Sequence, residues 1–278
     1  MATLADVARH AGVAASTVSY VLSGKRSVSA ATRRRVERSI EVLDYHPHAG
    51  ARALASSRSS IIALVVPRCS DRYVAVMMEI AMAVTTTARR FGYNVLLLSN
   101  DEGSEGIRRV AVSARADAMI LIDVTMDDER IPMLRDVSID SLLIGVPADT
   151  SGLCCVDLDY AAAGELCVGH LAGLGHREVA FIGEAAAVYQ RRSGFAERTL
   201  RGVMDEAAVR GIRVVHRPCE GSHAAAAATI TRVLADRPGT TGLIVQNEAI
   251  ISPLLSVLRT AGRWNCWPGD WITARAAR

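Results

Sequence analysis

Aromatic side chains are scarce in this chain, at 4% of 278 residues. That excludes a core built on large rings. With 50% of residues hydrophobic, and alanine, valine and leucine abundant, the composition favours close helix-on-sheet packing and excludes a disordered chain. Long apolar runs are also missing, since none approaches the roughly 20 residues that span a bilayer. The first residues, Met1 to Asp6, lack the charged stretch and apolar core of a secretory leader. The expectation is a cytoplasmic protein with no membrane partner. The six cysteines (Cys69, Cys154, Cys155, Cys167, Cys219, Cys266) contain no CxxC pair and no His/Cys spacing that could wrap a metal. They read as reduced, mostly buried thiols. Cys154 and Cys155, adjacent in a strand, point to opposite faces and read as buried rather than redox-active. His170 and His176, separated by Gly173 and Gly175, share no helical face and read as structural. There is no phosphate-binding glycine loop and no nucleophile elbow. No cofactor, no metal, no catalytic residue and no enzyme activity are therefore expected.

What is present is an asymmetry of charge. Residues 1–60 carry nine Arg or Lys against four Asp or Glu, a net of +5, so the overall +3 leaves −2 for the remainder. A short basic head on a mildly acidic body is the pattern of a chain that neutralises phosphates at one end and does something else at the other.

The head reads as three short helices. Thr3 and Asp6 form a capping box opening a helix to Ala11, with Leu4, Val7, Ala8 and Ala11 at helical spacing and Gly12 as its stop. A second helix fits Ala15 to Leu22, closed by Ser23-Gly24. A third starts after Ser29 as N-cap and runs to about Leu43, burying Val36, Ile40 and Leu43 while Arg33, Arg34, Arg35 and Arg38 lie mostly off that stripe. Ala8 at the helix contact, Gly12 in the turn and Val18 as wedge let two helices cross closely, as in a helix-turn-helix. The second helix would then lie in the major groove, with Ala15, Ser16, Ser19 and Tyr20 near base edges and Thr17 toward the backbone. A three-helix packing module with a solvated basic face is the alternative. Residues 47–60 follow Tyr45-His46-Pro47, which stops the helix. They are small and Ala/Ser-rich, good for a helix only against a partner, and read as a hinge.

The stretch LADVARHAGVAASTVSYVLSGKRSVSAATRRRVERSIEVLDYHPHAGARALASSRS resembles, without a gap, the head and hinge of the lactose/galactose repressor family. The resemblance implies phosphate roles for Thr3, Thr17, Ser29 and Thr32. It also implies that ARALA is a hinge helix in the minor groove, with Ala51 in that segment and Leu54 at the position of the leucine that pries apart a central base step. His48 departs from the asparagine usual after Tyr-x-Pro. A wedge helix needs a twin, and a helix-turn-helix reads a half-site, so the partners implied are double-stranded DNA with a near-palindromic operator and a second copy in a homodimer.

From Ile61 the pattern becomes short apolar strands alternating with helical stretches, an α/β body with parallel sheets. Strands are expected at 61–66, 94–98, 118–122, 141–144, 178–182, 213–216 and 242–245, and three helices end on Gly92, Gly175 and Gly211. The domains expected are a DNA-binding head over 1–46, a hinge over 47–60, and an effector and dimerisation body over 61–278. The body resembles the two-lobe periplasmic sugar-binding fold, with lobes about 61–157 and 158–278. Its most recognisable piece is GELCVGHLAGLGHREVAFIG.

Ligands of open α/β sheets meet loops at the carboxyl ends of strands. That nominates Ser70, Asp71, Tyr73, Asp123 and Glu248 as effector-binding residues, and the resemblance adds Arg198, one residue out of the usual register before Gly202. Asn247-Glu248 stands where the family has Asn-Asp. The alternatives are a solvated helix arginine for Arg198 and a helix N-terminal glutamate for Glu248. A small molecule of the sugar class is the effector implied. All three tryptophans fall after Arg263, where the composition breaks; truncation or a changed reading frame is expected there, leaving the second lobe incomplete. The function implied is an effector-controlled transcriptional regulator, a repressor; a solute-binding protein, a truncated regulator without activity and an α/β enzyme are the rival readings.

Overall fold

The computed structural model describes residues 2–23, 26–45, 58–66, 74–99, 103–113 and 116–262. Ala51 and Leu54 of the hinge, the loop with Ser70, Asp71 and Tyr73, and the tryptophan-bearing tail lie outside the described residues.

The head is built from α1 (Leu4–Ala11), α2 (Ala15–Ser23) and α3 (Ala30–Val42). Each boundary has a local cause. Thr3 Oγ1 accepts from the Asp6 amide at 3.3 Å while the Asp6 carboxylate accepts from the Thr3 amide at 2.9 Å, the reciprocal box that satisfies two orphan donors. Gly12 ends α1 at φ 61°, the left-handed region that costs glycine nothing. Ser29 Oγ accepts from the Thr32 amide at 3.2 Å and opens α3. Val7, Ala8, Ala11, Val18, Val21, Val36 and Tyr45 form the buried core, with Ile40 and Leu43 packed at its edge. This is the stripe expected from periodicity.

The body continues with β1 (Ile61–Val66), α4 (Val74–Arg90), β2 (Asn94–Ser99), α5 (Gly103–Val112), β3 (Ala118–Ile122), α6 (Ile131–Asp136), β4 (Asp140–Ile144) and β5 (Cys154–Val156). Then come α7 (Tyr160–Gly173), β6 (Glu178–Gly183), α8 (Ala186–Gln190), α9 (Gly194–Arg210), β7 (Arg213–Pro218), α10 (His223–Asp236), β8 (Gly242–Val245), a 3-10 turn (Glu248–Ile250) and α11 (Ile251–Thr260). A five-stranded sheet runs β2-β1-β3-β4-β5 and a three-stranded sheet β7-β6-β8. β4 pairs parallel with β5, and β6 parallel with both β7 and β8. The seven expected strands all form, within two residues at each end. The chain divides into two compact units. One contains Met1–Val65, Met78–Met119 and Asp136–Asp140; the other contains Val66–Met77, Ile120–Arg135 and Ser141–Arg278.

The continuous apolar runs are explained by burial on both faces. In β6, Ala180 and Ile182 pack on Ile230 and Val233 of α10 and on Leu254 of α11. Their neighbours Val179 and Phe181 point the other way, to Val168 of α7 and Val203 and Ala207 of α9. Within the first unit, the Asp117 carboxylate accepts from the Ser59 amide and hydroxyl and from the Ser60 amide at 2.6, 2.8 and 2.9 Å. This fixes the point where the hinge segment enters β1.

The cysteine expectation needs correction. β5, not among the expected strands, leaves Cys154 exposed and Cys155 half-buried, and of the four described thiols only Cys219 is buried. A three-residue strand at the end of the sheet order covers only one side of itself. Burial nonetheless pushes the Cys155, Cys167 and Cys219 thiols up, away from thiolate.

α7 and α9 cross at backbone contact. A Cβ on Gly164 would lie 2.6 Å from Thr199 O and 2.8 Å from Val203 N, and one on Gly202 would lie 2.8 Å from the Ala161 carbonyl carbon and closer still to its oxygen. Gly202→Ala is therefore expected to lower the unfolding free energy by about 1–3 kcal/mol through overpacking. Gly169→Ala, where the nearest atom is Arg210 Nη2 at 3.5 Å, is expected to raise it by about 0.5–1 kcal/mol. Urea melts of the two variants check this, and equal shifts in one direction would contradict the crossing.

Candidate functional site

On the head, α2 leaves Ala15 and Ser16 exposed and Thr17, Ser19 and Tyr20 partly buried. The Arg26 guanidinium sits 5.5 Å from the centroid of the Tyr20 ring, a cation–π distance. Thr3 and Ser29 are the N-caps of α1 and α3, and Thr32 Oγ1 lies 2.9 Å from Ser29 Oγ. Both caps stand where first-turn amides and the helix dipole favour phosphate.

The four arginines of α3 divide in role. Arg33, Arg34 and Arg38 are exposed along the helix. Arg35 turns back on α1, donating from Nη2 to Ala11 O at 2.6 Å and Gly12 O at 3.0 Å, and from Nε to Ala11 O at 3.2 Å. It closes the carbonyl end of α1 and ties α3 to the turn. His10 Nδ1 and Ser39 Oγ, 2.9 Å apart, make a second tie between the same helices.

In the second unit, Asp123 follows β3 at φ 59° with a side chain 4% exposed, paired to Arg191 Nη1 at 3.1 Å. The conformation is uncommon for a residue with a Cβ, and a buried arginine holds it. Arg130 donates to Asp123 O at 3.0 Å and to the Asp128 carboxylate at 2.7 and 2.6 Å. Asp128 also accepts from the Thr125 amide. Burial alone would raise the Asp128 carboxyl, but the hydrogen bonds and charge of Arg130 outweigh it and hold the group below the usual range.

The loop before α9 is stitched to this one. The Met126 amide donates to Arg192 O at 2.8 Å and the Ala148 amide to Met126 O at 2.9 Å. Arg192 pairs with Asp127 and with Glu197. Arg198 donates to Val146 O at 2.6 Å and pairs with Asp157, both side chains mostly buried. Burial pushes the Asp157 carboxyl up even against Arg198. Of the sequence-nominated effector residues that are described, Asp123 and Arg198 each have a protein partner, and Glu248 is exposed at the start of the 3-10 turn. Asn247 caps that turn, accepting from the Ala249 amide at 3.1 Å and donating to Cys219 O at 3.0 Å.

Sequence reasoning missed four residues here. Tyr160, against Phe195 with ring centroids 5.8 Å apart, has its hydroxyl pushed up by burial and then by Asp157, within reach of the charges of Arg198, Glu248 and Glu184. Tyr189 donates to Gln246 Oε1 at 3.1 Å, and His216 stacks on Phe181 at 5.2 Å and meets the Tyr189 ring edge-on at 5.0 Å. No signal in the sequence could join them, because Tyr189 and Gln246 are 57 residues apart and only the parallel register of β6, β7 and β8 brings them to one end.

Among the described residues, no group of three or more His, Cys, Asp or Glu could hold a metal ion, and no helix is long and apolar enough to cross a membrane.

Residues 3–48 match the model of bacterial regulatory proteins of the lacI family, and residues 168–263 match the periplasmic binding protein-like domain. Catabolite control protein A of Priestia megaterium is 29% identical over 183 residues, covering 65% of this chain and 54% of its own length. The protein of the same name from Staphylococcus xylosus is 28% identical over 184 residues, covering 65% and 55%. The chain thus spans about half the length of the curated relatives it matches. Among solved structures, the lac repressor dimer bound to operator and the anti-inducer ONPF superposes with a TM-score of 0.77 at 22% identity, covering 94% of this chain and 78% of that one. The complex of the transcriptional regulator CelR with cellobiose gives 0.58 at 23%, covering 95% and 80%. Over residues 3–48 the chain is thus similar to bacterial regulatory proteins of the lacI family, and over residues 168–263 to the periplasmic binding protein-like domain.

Proposed function

We propose that this chain is a sequence-specific DNA-binding transcriptional regulator, a repressor, working in the cytoplasm as a homodimer on a near-palindromic operator under control of a sugar-class effector. One observation carries the reading: a helix-turn-helix head, its first and third helices capped by Thr3 and Ser29, that exposes Ala15 and Ser16 in one chain with a ligand-binding type of α/β body. The relatives named as catabolite control protein A, and the solved likenesses with operator DNA or cellobiose, support it. A solute-binding protein would have no use for the basic head.

In this reading Thr3, Thr17, Ser29 and Thr32 position the head on phosphates, while Ala15, Ser16, Ser19 and Tyr20 face base edges. Ala51 and Leu54 enter the minor groove as a hinge helix formed against DNA. Ser70, Asp71, Tyr73, Asp123, Arg198 and Glu248 meet the effector. An effector that exchanges its own polar groups for the pairs Asp123–Arg191 and Arg198–Asp157 stabilises one arrangement of the body over another, and operator affinity follows by linkage.

The direct test is footprinting of the purified chain on the DNA upstream of its own gene, with a salt titration and a mass measurement. The result expected is protection of a near-palindrome by a dimer; a folded, soluble chain that protects nothing would overturn the reading. Leu54→Ala is expected to weaken operator binding while sparing most affinity for random DNA, and equal losses on both would remove the wedge. The arginines of α3 give a separate check. Arg33→Gln with Arg34→Gln is expected to flatten the salt dependence by about one to two charges' worth of slope and leave head stability unchanged. Arg35→Gln is expected to cost about 1 kcal/mol of stability through its lost bonds to Ala11 and Gly12, with little change in the salt slope.

A further inference from the structure

The carboxyl ends of β6, β7 and β8 carry a polar cluster to which the preceding reading gives no role. Gly183 is the last residue of β6, His216 lies on β7 opposite Phe181, and Gln246 follows β8, its amide bonded to Ile182 O at 2.9 Å. By strand alternation Phe181, Gly183 and His216 share one face of the sheet. A Cβ on Gly183 would lie 2.7 Å from His216 Nε2 and closer still to the Tyr189 hydroxyl. The absence of a side chain at Gly183 is what lets these two polar atoms converge over the end of the strand.

The polar groups are not all satisfied by one another. His216 Nε2 and Gln246 Nε2 are buried and have no hydrogen-bond partner among the described residues. Turning the Gln246 amide over does not remove the deficit, since either orientation leaves one amide atom without a partner. Buried polar groups in this state are uncommon and point to a missing partner. The arginines beside the cluster in the chain are, by contrast, already matched: Arg191 to Asp123 at 3.1 Å, and Arg217, next to His216, to Asp236 at 3.6 Å. What the cluster offers a ligand is therefore uncharged: a phenol, an imidazole and a carboxamide.

We propose that Tyr189, His216 and Gln246 form a subsite that hydrogen-bonds one or more hydroxyls of an uncharged sugar. The inference rests on the reading of the body as an effector sensor and specifies the chemistry of part of its site. A sugar hydroxyl both donates and accepts, so one hydroxyl bridges the imidazole and the carboxamide in either amide orientation. Burial, and then the charge of Arg217, lowers the affinity of His216 for a second proton and keeps the ring neutral. Burial pushes the Tyr189 hydroxyl up, so it too stays uncharged. An anionic sugar finds no unmatched cation in this cluster and carries the full cost of losing its water shell.

The test uses the full chain, labelled with ¹⁵N, and reads the histidine ring nitrogens by NMR during titration with cellobiose, glucose and galactose, and with glucose 6-phosphate as the charged control. The His216 signals are assigned by their loss in His216→Phe. At least one neutral sugar is expected to move the His216 Nε2 signal. His216→Phe and Gln246→Leu are each expected to weaken that sugar by roughly tenfold in calorimetry, as loss of a hydrogen bond to a buried group should, with the thermal midpoint little changed. Should His216→Phe fail to fold, Gln246→Leu and the wild-type titration decide. The proposal is overturned if none of the three neutral sugars moves the Nε2 signal, which would leave the cluster to a fixed water. Undiminished binding by Gln246→Leu, or tighter binding of glucose 6-phosphate, would overturn it equally. Operator protection by the same samples separates the two readings: a sugar shift without protection sinks the regulator and leaves the subsite, and protection without a shift does the reverse.

Discussion

The crossing of α7 over α9 fixes the geometry of the second unit. Gly164 and Gly202 bring the two helix backbones into contact, and a small-residue stripe on α9 (Gly194, Ala196, Thr199, Gly202, Val203, Ala207) stays buried along it. At that separation the first turns of α9 place Arg198 against Val146 and Asp157. The preceding residues Arg191 and Arg192 are thereby set beside Asp123 and Asp127. A side chain larger than hydrogen at either glycine would move α9 and loosen each of those pairs.

Ion pairs then define what the site can still offer. Arg130 is buried with Asp128, a pair that is expensive to desolvate and more expensive to break. Its hydrogen bond to Asp123 O holds a backbone conformation that few residues adopt. Such a pair is weak evidence for stability, but here it aims a loop at the end of a strand. With Arg191, Arg192 and Arg198 also matched, a ligand that meets them exchanges with an existing pair, and one that does not has the neutral groups over Gly183. These two routes have different chemistry, since the first favours ligands with strong polar or charged groups and the second favours hydroxyls.

Much of the head was legible in the sequence because its determinants are local. A capping box spans four residues, Gly12 needs no distant partner, and Val36 follows from helical period alone. The strands were legible because they are short apolar runs such as IIALVV and AMILI, and in β6 the parallel pairing and the burial of both faces account for the continuous run. Cys154 was misread because burial depends on the sheet order, and β5 is last in it. Arg35 and Arg33 look alike in sequence; only the fold shows that the first is spent on the carbonyls of Ala11 and Gly12. Tyr160, Tyr189, His216 and Gln246 carry no motif. Strand register and helix placement gather them, and those are properties of the assembled body.

A chain that couples DNA reading to ligand binding must obey reciprocity between the two. The measurement is the affinity of the chain for its protected DNA with and without a saturating neutral sugar, paired with its affinity for that sugar with and without the DNA. Thermodynamic linkage requires both affinities to change by one and the same factor, and the factor expected is clearly different from one. Two affinities that are each indifferent to the other ligand would contradict it, leaving a head and a body that share a chain without sharing a function.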